Sequence, residues 1–233
     1  MHPFLRKIKF YKDCLNGREH YFPIDIKMNI LWAGNKNCGF YIIPELLSDD
    51  SIVYSFGIGE DISFDEDIIN NYGCNIYAYD PTPKSKDFIH KKTLSPLFHY
   101  FDIGIADYDG TTKFYLPEND EYVSCTTYNR WGYDEQEKKP IEVKVKKLSS
   151  LMKENNHTEI DLLKMDVEGS EYKVVKDIIS SNINIKQICI EVHHRFPDIG
   201  INKTKAMVKE LRQAGYKLAA VSKSKEEYTF VHI

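Results

Sequence analysis

No Cys-x-x-Cys pair occurs in the 233 residues, and the five cysteines, Cys14, Cys38, Cys74, Cys125 and Cys189, are odd in number and scattered. That argues against a disulfide framework and against a zinc site, and it fits a reducing compartment. No apolar run approaches the length needed to cross a bilayer. The start, Met1-His2-Pro3-Phe4-Leu5-Arg6-Lys7, lacks the unbroken apolar core of a secretion signal, so the expected location is the cytoplasm. A basic surplus is missing as well. The formal net charge is -4 with both signs mixed along the chain, which makes nucleic acid an unexpected substrate. The lysine-rich stretches 84–92 and 144–147 read as solvated faces that could attract an acidic or phosphorylated group only at close range.

What is present is an ordinary globular composition, 42% hydrophobic and 28% charged, enough for one sizeable core. Residues 1–50 carry scattered aromatics, glycines and prolines without a sustained period, and are expected to form a short helical or irregular cap. Residues 51–233 read as the main domain. Ile52 to Phe56 is a short apolar strand, Ile62 to Tyr72 has helical spacing and Asn75 to Tyr79 is a second strand. Leu97 to Asp102 reads as a third strand. Ile103 to Ala106 and Thr112 to Leu116 flank the turn Asp107-Tyr108-Asp109-Gly110 as a hairpin, and Ile141 to Val145 alternates like an edge strand. Helices over Leu148 to Glu154, Ser170 to Ser180 and Thr204 to Ala214 alternate with strands over Ile160 to Met165 and Gln187 to Val192. Tyr216 to Val221 and Tyr228 to Ile233 are too close for a crossover helix and so form an antiparallel pair. The expectation is a doubly wound α/β fold, a mostly parallel sheet with an antiparallel C-terminal strand.

The first strand runs into Ser55-Phe56-Gly57-Ile58-Gly59-Glu60-Asp61 and then a helix. Such a bend brings unhindered backbone against a ligand and aims a helix N-terminus at it, serving a pyrophosphate or an amino-acid carboxylate. A dinucleotide fingerprint would want a third glycine at position 62, where this chain has Ile62. Glu60 and Asp61 would repel a pyrophosphate and attract a cationic group, so the loop favours S-adenosylmethionine over NAD. Ser55, Gly57, Gly59 and Asp61 are the loop candidates. Asp80, ending the second strand, suits ribose hydroxyls, and Asp102 and Ile103 follow the third. Each also has a plain structural reading, with glycines permitting a tight turn, Asp61 capping the helix and Asp80 opening the Asp80-Pro81-Thr82-Pro83 turn.

The segment Lys164-Met165-Asp166-Val167-Glu168-Gly169-Ser170-Glu171 places a lysine and three carboxylates at the end of a central strand, where open α/β sheets bind ligands. Here the sequence resembles the FkbM-type methyltransferases, marked by a Lys-x-Asp-x-Glu-Gly-x-Glu segment. The resemblance runs from about Ile52 to the C-terminus and includes Tyr54 to Asp65, Asp80, Asp102 to Gly110 and Ile190-Glu191-Val192-His193. One departure is Ser55, where many members carry an acidic residue. The resemblance implies a class I methyltransferase fold and methyl transfer to oxygen, commonly a hydroxyl of a sugar, glycan or secondary metabolite. Transfer needs the acceptor proton removed as the bond forms, by a base or with a metal ion. In one arrangement His193 or Asp166 is the base and Lys164 stabilises the developing alkoxide. In the other, Asp166, Glu191 and His193 hold a divalent cation. The metal-free form is preferred, because the sequence shows no compact ligand motif. Tyr128, Arg130, Trp131, Glu168 and His194 are candidates for touching the acceptor. Glu168 and Glu171 equally suit the first turn of a helix, where its dipole favours negative charge. A dinucleotide-dependent oxidoreductase and a catalytically silent cofactor-binding module are the competing readings.

Overall fold

The computed structural model describes residues 3–115 and 140–233. Its centre is a seven-stranded sheet built from β3 (Ile52–Phe56), β4 (Asn75–Tyr79), β5 (Phe98–Phe101), β9 (Glu159–Met165), β10 (Asn184–Glu191), β11 (Tyr216–Val221) and β12 (Glu227–His232). The spatial order is β11-β12-β10-β9-β3-β4-β5. All neighbours are parallel except β12, which runs antiparallel to both β10 and β11. This is the mostly parallel, doubly wound sheet with one reversed strand that the sequence predicts.

Both faces of the central strands are covered, which is why β3 and β9 are apolar at successive positions instead of alternating. On one face Tyr54, Phe56, Leu163 and Met165 meet α4 (Leu148–Glu154), α5 (Glu171–Ser180) and α6 (Ile201–Gln213) through residues such as Leu151, Val175 and Val208. On the other, Val53, Ala78 and Leu162 meet Ile68 and Ile69 of α2 (Ser63–Tyr72) and Ile89 of α3 (Pro83–His90). The order reverses between β3 and β9, so the chain leaves the sheet in opposite directions there and opens a crevice at the strand ends.

The N-terminal stretch is more regular than its sequence suggests. It contains the helix α1 (Pro3–Leu15) and an antiparallel pair of three-residue strands, β1 (Leu31–Ala33) and β2 (Phe40–Ile42), too short to show a period. The buried Gln187 side chain of β10 accepts from the Ile43 amide at 2.9 Å and donates to the Ile43 carbonyl at 3.2 Å, replacing a strand neighbour.

Two strand expectations need correction. β6 (Gly104–Ile105) and β7 (Gly110–Phe114) do not pair as a hairpin; β8 (Ile141–Lys146) lies between them, parallel to β6 and antiparallel to β7. The intervening turn is anchored elsewhere, because Asp109 accepts from the Lys147 amide at 2.8 Å and the Ser150 hydroxyl at 2.7 Å beside α4. The alternation of β8, with Val143 and Val145 inward, reports a sheet with one covered face and not an edge position. Among the described residues no helix is long and apolar enough to cross a membrane.

Candidate active site

The crevice is shaped by how closely two strands end. The Gly57 amide donates to the Tyr79 carbonyl and the Asp166 amide to the Phe56 carbonyl, each at 3.0 Å, so β4, β3 and β9 stay bonded to their last residues. Gly57 has φ +74°, and a Cβ there would lie 1.7 Å from the Asp166 carbonyl oxygen. No other residue allows that approach. Lys164, level with Ser55 across the sheet, donates to the Phe56 and Gly57 carbonyls at 3.3 and 2.5 Å. Asp61 accepts from the Ser63 amide at 2.8 Å and from the Asn35 side chain, so it ties down the entry to α2 from one residue before the capping position, which is Ile62.

Asp80 is buried at the end of β4. One oxygen accepts from the Gly59 amide at 3.0 Å, while the other accepts from the Thr82 amide at 2.9 Å and its hydroxyl at 2.6 Å. The cleft beneath these groups has a volume of about 380 Å³. Its lining joins the bend to Tyr79, Ile105 and Phe114 on one side and to Lys164, Asp166 and Glu168 on the other.

Beside Asp166 a second cluster forms. His193, 7% exposed, has its Nε2 3.5 Å from Asp166, 3.6 Å from Glu168 and 3.9 Å from Glu191. Its Nδ1 lies 3.3 Å from Glu171, which also accepts from the His193 amide at 3.0 Å and the Gly169 amide at 2.8 Å. Burial works against a charged imidazole, but the Glu171 hydrogen bond and the charges of Glu171, Asp166 and Glu168 outweigh it and raise the His193 pKa. Burial, then the Asp166 charge, pushes Glu191 up. One ligand atom from each of Asp166, Glu191 and His193, the three named from sequence as alternative cation ligands, lies within 4.8 Å of the others.

The structure thus brings Gly57, Gly59, Asp61, Asp80, Lys164, Asp166 and Glu168 together around one cleft, with Glu191 and His193 adjoining it. Other candidates stand elsewhere. Ser55 is fully buried behind the bend. Asp102 is on the exposed rim, paired with Lys86 at 2.6 Å, and Ile103 packs on the core, while their neighbours Gly104 and Ile105 line the cleft. His194 faces away, its Nε2 3.0 Å from Glu19 in a buried contact. Tyr128, Arg130 and Trp131 lie outside the described residues. Two buried acids do more than the sequence reading gave them: Asp65, noted only at the end of the first motif, and the orienting Glu171, read as a first-turn acid of its helix. Both carried a signal. Glu171 opens the spacing Glu171, Val174, Val175, Ile178, and Asp65 falls within the arc of Phe64, Ile68 and Ile69, so each acid sits on the apolar face of its helix.

Residues 51–218, most of the chain, match the Methyltransferase FkbM domain model. The chain belongs to the FkbM methyltransferase family. Relatives of this FkbM chain include the probable methyltransferase-like protein 24 of Homo sapiens and of Rattus norvegicus, each 24% identical, over 197 and 189 residues. These matches cover 80% and 77% of this chain but 47% and 45% of the relatives, so the chain spans about half the length of the curated relatives it matches. The crystal structure of methyltransferase FkbM from Methylobacillus flagellatus KT superposes with a TM-score of 0.50 at 13% identity, covering 83% of this chain and 47% of that one. The fold implied by the sequence resemblance is the one found.

Proposed function

We propose that the protein transfers a methyl group from S-adenosylmethionine to a hydroxyl oxygen of a sugar, glycan or related small hydroxylated metabolite. Residues 51–233 would form the catalytic domain and residues 1–50 its cap. The observation that carries this reading is the charge of the cleft: among the described residues Glu60, Asp61, Asp80, Asp166 and Glu168 line it, against the one lysine Lys164. A site of that sign attracts a sulfonium and an ammonium group and repels the pyrophosphate of a dinucleotide. The volume is within the range of small-molecule sites. Asp80 fits a ribose contact as well. A carboxylate has about four acceptor positions, and three are used inside the protein, which leaves one for a ribose hydroxyl. Phe56, Tyr79 and Ile105 offer an apolar seat for an adenine ring.

The donor supplies an activated methyl group when bound. Asp166 is the residue best placed to take the acceptor's proton, since it lines the cleft while its buried Oδ1 faces the His193 Nε2 at 3.5 Å. His193, turned by Glu171, presents its Nε2 to Asp166 and offsets the surrounding carboxylates. Lys164 holds the bend through two carbonyls, which supports a role in shaping the donor site over stabilising an alkoxide. A second reading is favoured by the spacing of Asp166, Glu191 and His193. Bonds of about 2.1 to 2.4 Å put opposite donors about 4.2 to 4.8 Å apart across one divalent ion. Activity that survives exhaustive chelation rules this second reading out.

The mixed-sign surface supports an acceptor other than nucleic acid, and the free cysteines fit a cytoplasmic setting. Titration calorimetry of S-adenosylmethionine against NAD tests the donor, with binding of the first alone expected. Asp80→Ala should weaken that binding by about tenfold or more. Asp166→Asn should keep it while losing turnover on acceptors found in a glycan panel. A protein that binds NAD instead, or an Asp166→Asn variant with normal turnover, overturns the corresponding assignment. Intact donor binding with no acceptor methylated favours a silent module.

A further inference from the structure

Behind the bend, three polar groups are buried on the face of the sheet that α2 covers, and one of them, Lys164, also reaches the cleft. Asp65, in the first turn of α2, is 1% exposed, Ser55 is 0% exposed and Lys164 is 5% exposed. Ser55 and Lys164 are strand neighbours on β3 and β9, and their side chains leave the sheet on the face that α2 covers. The Ser55 Oγ and the Asp65 Oδ1 have no hydrogen-bond partner among the described residues. A carboxylate left this way is costly unless a nearby cation compensates it. Lys164 is that cation. Burial pushes the Asp65 pKa up to about 6, and the Lys164 charge pulls it back. The ammonium itself is spent on the loop, donating to the carbonyls of Phe56 and Gly57.

We propose that Asp65 is a positioning residue for the cofactor loop, acting through Lys164: from α2 it supplies the counter-charge that keeps the ammonium directed at the Phe56 and Gly57 carbonyls, and so fixes the bend that lines the cleft. A surface acid would not do this, because only a buried charge acts on Lys164 unscreened. The serine at position 55 marks the alternative solution. As the register neighbour of Lys164, a carboxylate there would meet the same ammonium from the strand instead of the helix. The two positions share one closed space, so carboxylate and hydroxyl are exchangeable between them.

The inference takes its main readout from the cleft's proposed role as the donor site, and the experiment separates the two. S-Adenosylmethionine affinity is measured by calorimetry for the parent, Asp65→Ser, the swap Ser55→Asp with Asp65→Ser, Lys164→Ala, and Lys164→Ala with Asp65→Ser. Asp65→Ser is expected to weaken binding about tenfold, and the swap to recover it to within about threefold of the parent. Adding Asp65→Ser to Lys164→Ala should cost little more, since both act on one path. Asp65→Asn, equal in volume, replaces the serine variant if that one does not fold. Parent-like binding by the Asp65 variant, failure of a folded swap protein to recover, or full additivity with Lys164→Ala overturns the proposal. If the parent binds no S-adenosylmethionine, the donor reading falls alone. The Asp65–Lys164 coupling is then read from urea unfolding of the same variants, where additive losses overturn it and strong non-additivity upholds it.

Discussion

Replacing Gly57 by alanine puts a single methyl group where two strands end in contact, and its cost follows from the geometry. The added carbon would lie 1.7 Å from the Asp166 carbonyl oxygen and 2.8 Å from its carbonyl carbon, and both are backbone atoms that cannot rotate away. To restore ordinary contact, the ends of β3 and β9 must part by about 1.5 Å, since non-bonded atoms need more than about 3 Å. That movement stretches the Asp166-to-Phe56 hydrogen bond, now 3.0 Å, at about 1 kcal/mol. The φ of +74° adds about 1 to 2 kcal/mol for a side chain, and residual crowding adds about 1 to 3 kcal/mol. A loss of about 3 to 6 kcal/mol is a large part of the stability of a domain this size and lowers Tm by about 6 to 24 °C. Gly17→Ala is the control, because Gly17 has φ +69° with nothing among the described residues within 4 Å of the added carbon. It should lose the conformational part alone, about 1 to 2 kcal/mol. Urea unfolding of both variants decides. If Gly57→Ala is no less stable than Gly17→Ala, the close approach of the strand ends is not real, and the shape of the cleft falls with it.

Asp102→Ala should change S-adenosylmethionine affinity by less than about threefold, well below the effect of Asp80→Ala, because Asp102 pairs with Lys86 on the rim; an equal loss in calorimetry would return Asp102 to the donor site. Glu19→Ala strips the acceptor from the buried His194 and from Arg195, which should cost about 2 to 4 kcal/mol and about 4 to 15 °C in Tm, with Glu19→Gln losing less. A parent-like melting curve for Glu19→Ala would refute the buried contact. Asp65 titrates at about 6 in the folded chain against 3.8 when unfolded, so the native state holds its proton more tightly. The stability this gives is fully present below pH 3.8 and is lost as pH rises through about 6, a difference of about 3 kcal/mol. Unfolding free energies measured from pH 3.5 to 7 should carry that slope in the parent and lack it in Asp65→Asn, and identical profiles would contradict it.

Elements whose burial is set by the sheet itself were legible, because an apolar run bounded by turn residues reports a covered strand without reference to its partners. Asn75–Tyr79, Leu148–Glu154 and Tyr216–Val221 carry in the structure the bounds read from sequence. The failures concern who pairs with whom. Nothing local says that Ile141–Lys146 inserts between two strands that precede it in the chain, and the turn before Gly110 looks like a hairpin until Asp109 is seen gripping the start of α4. The cleft was legible along β3 and β9, where the glycines and the Lys164 to Glu171 segment are contiguous. Asp102 was misleading for the converse reason. The strand end does reach the cleft, but the residues that line it are Gly104 and Ile105, two and three positions on.

Glu171 and Asp65 connect these observations. Each is an acid on the apolar stripe of a helix, a place where an unpaired charge would cost more than the helix dipole returns. Each acts on a cation at the end of a central strand, Glu171 on the imidazole of His193 and Asp65 on the ammonium of Lys164; Lys164 lines the cleft and His193 adjoins it. His193 faces the Asp166 carboxylate, and Lys164 holds the glycine bend. The helices behind the sheet therefore do more than cover apolar strands. Their buried charges fix two side chains at or beside a cleft whose other charged groups, among the described residues, are all acidic, and without those anchors the ammonium and the imidazole would be free to turn toward the carboxylates around them.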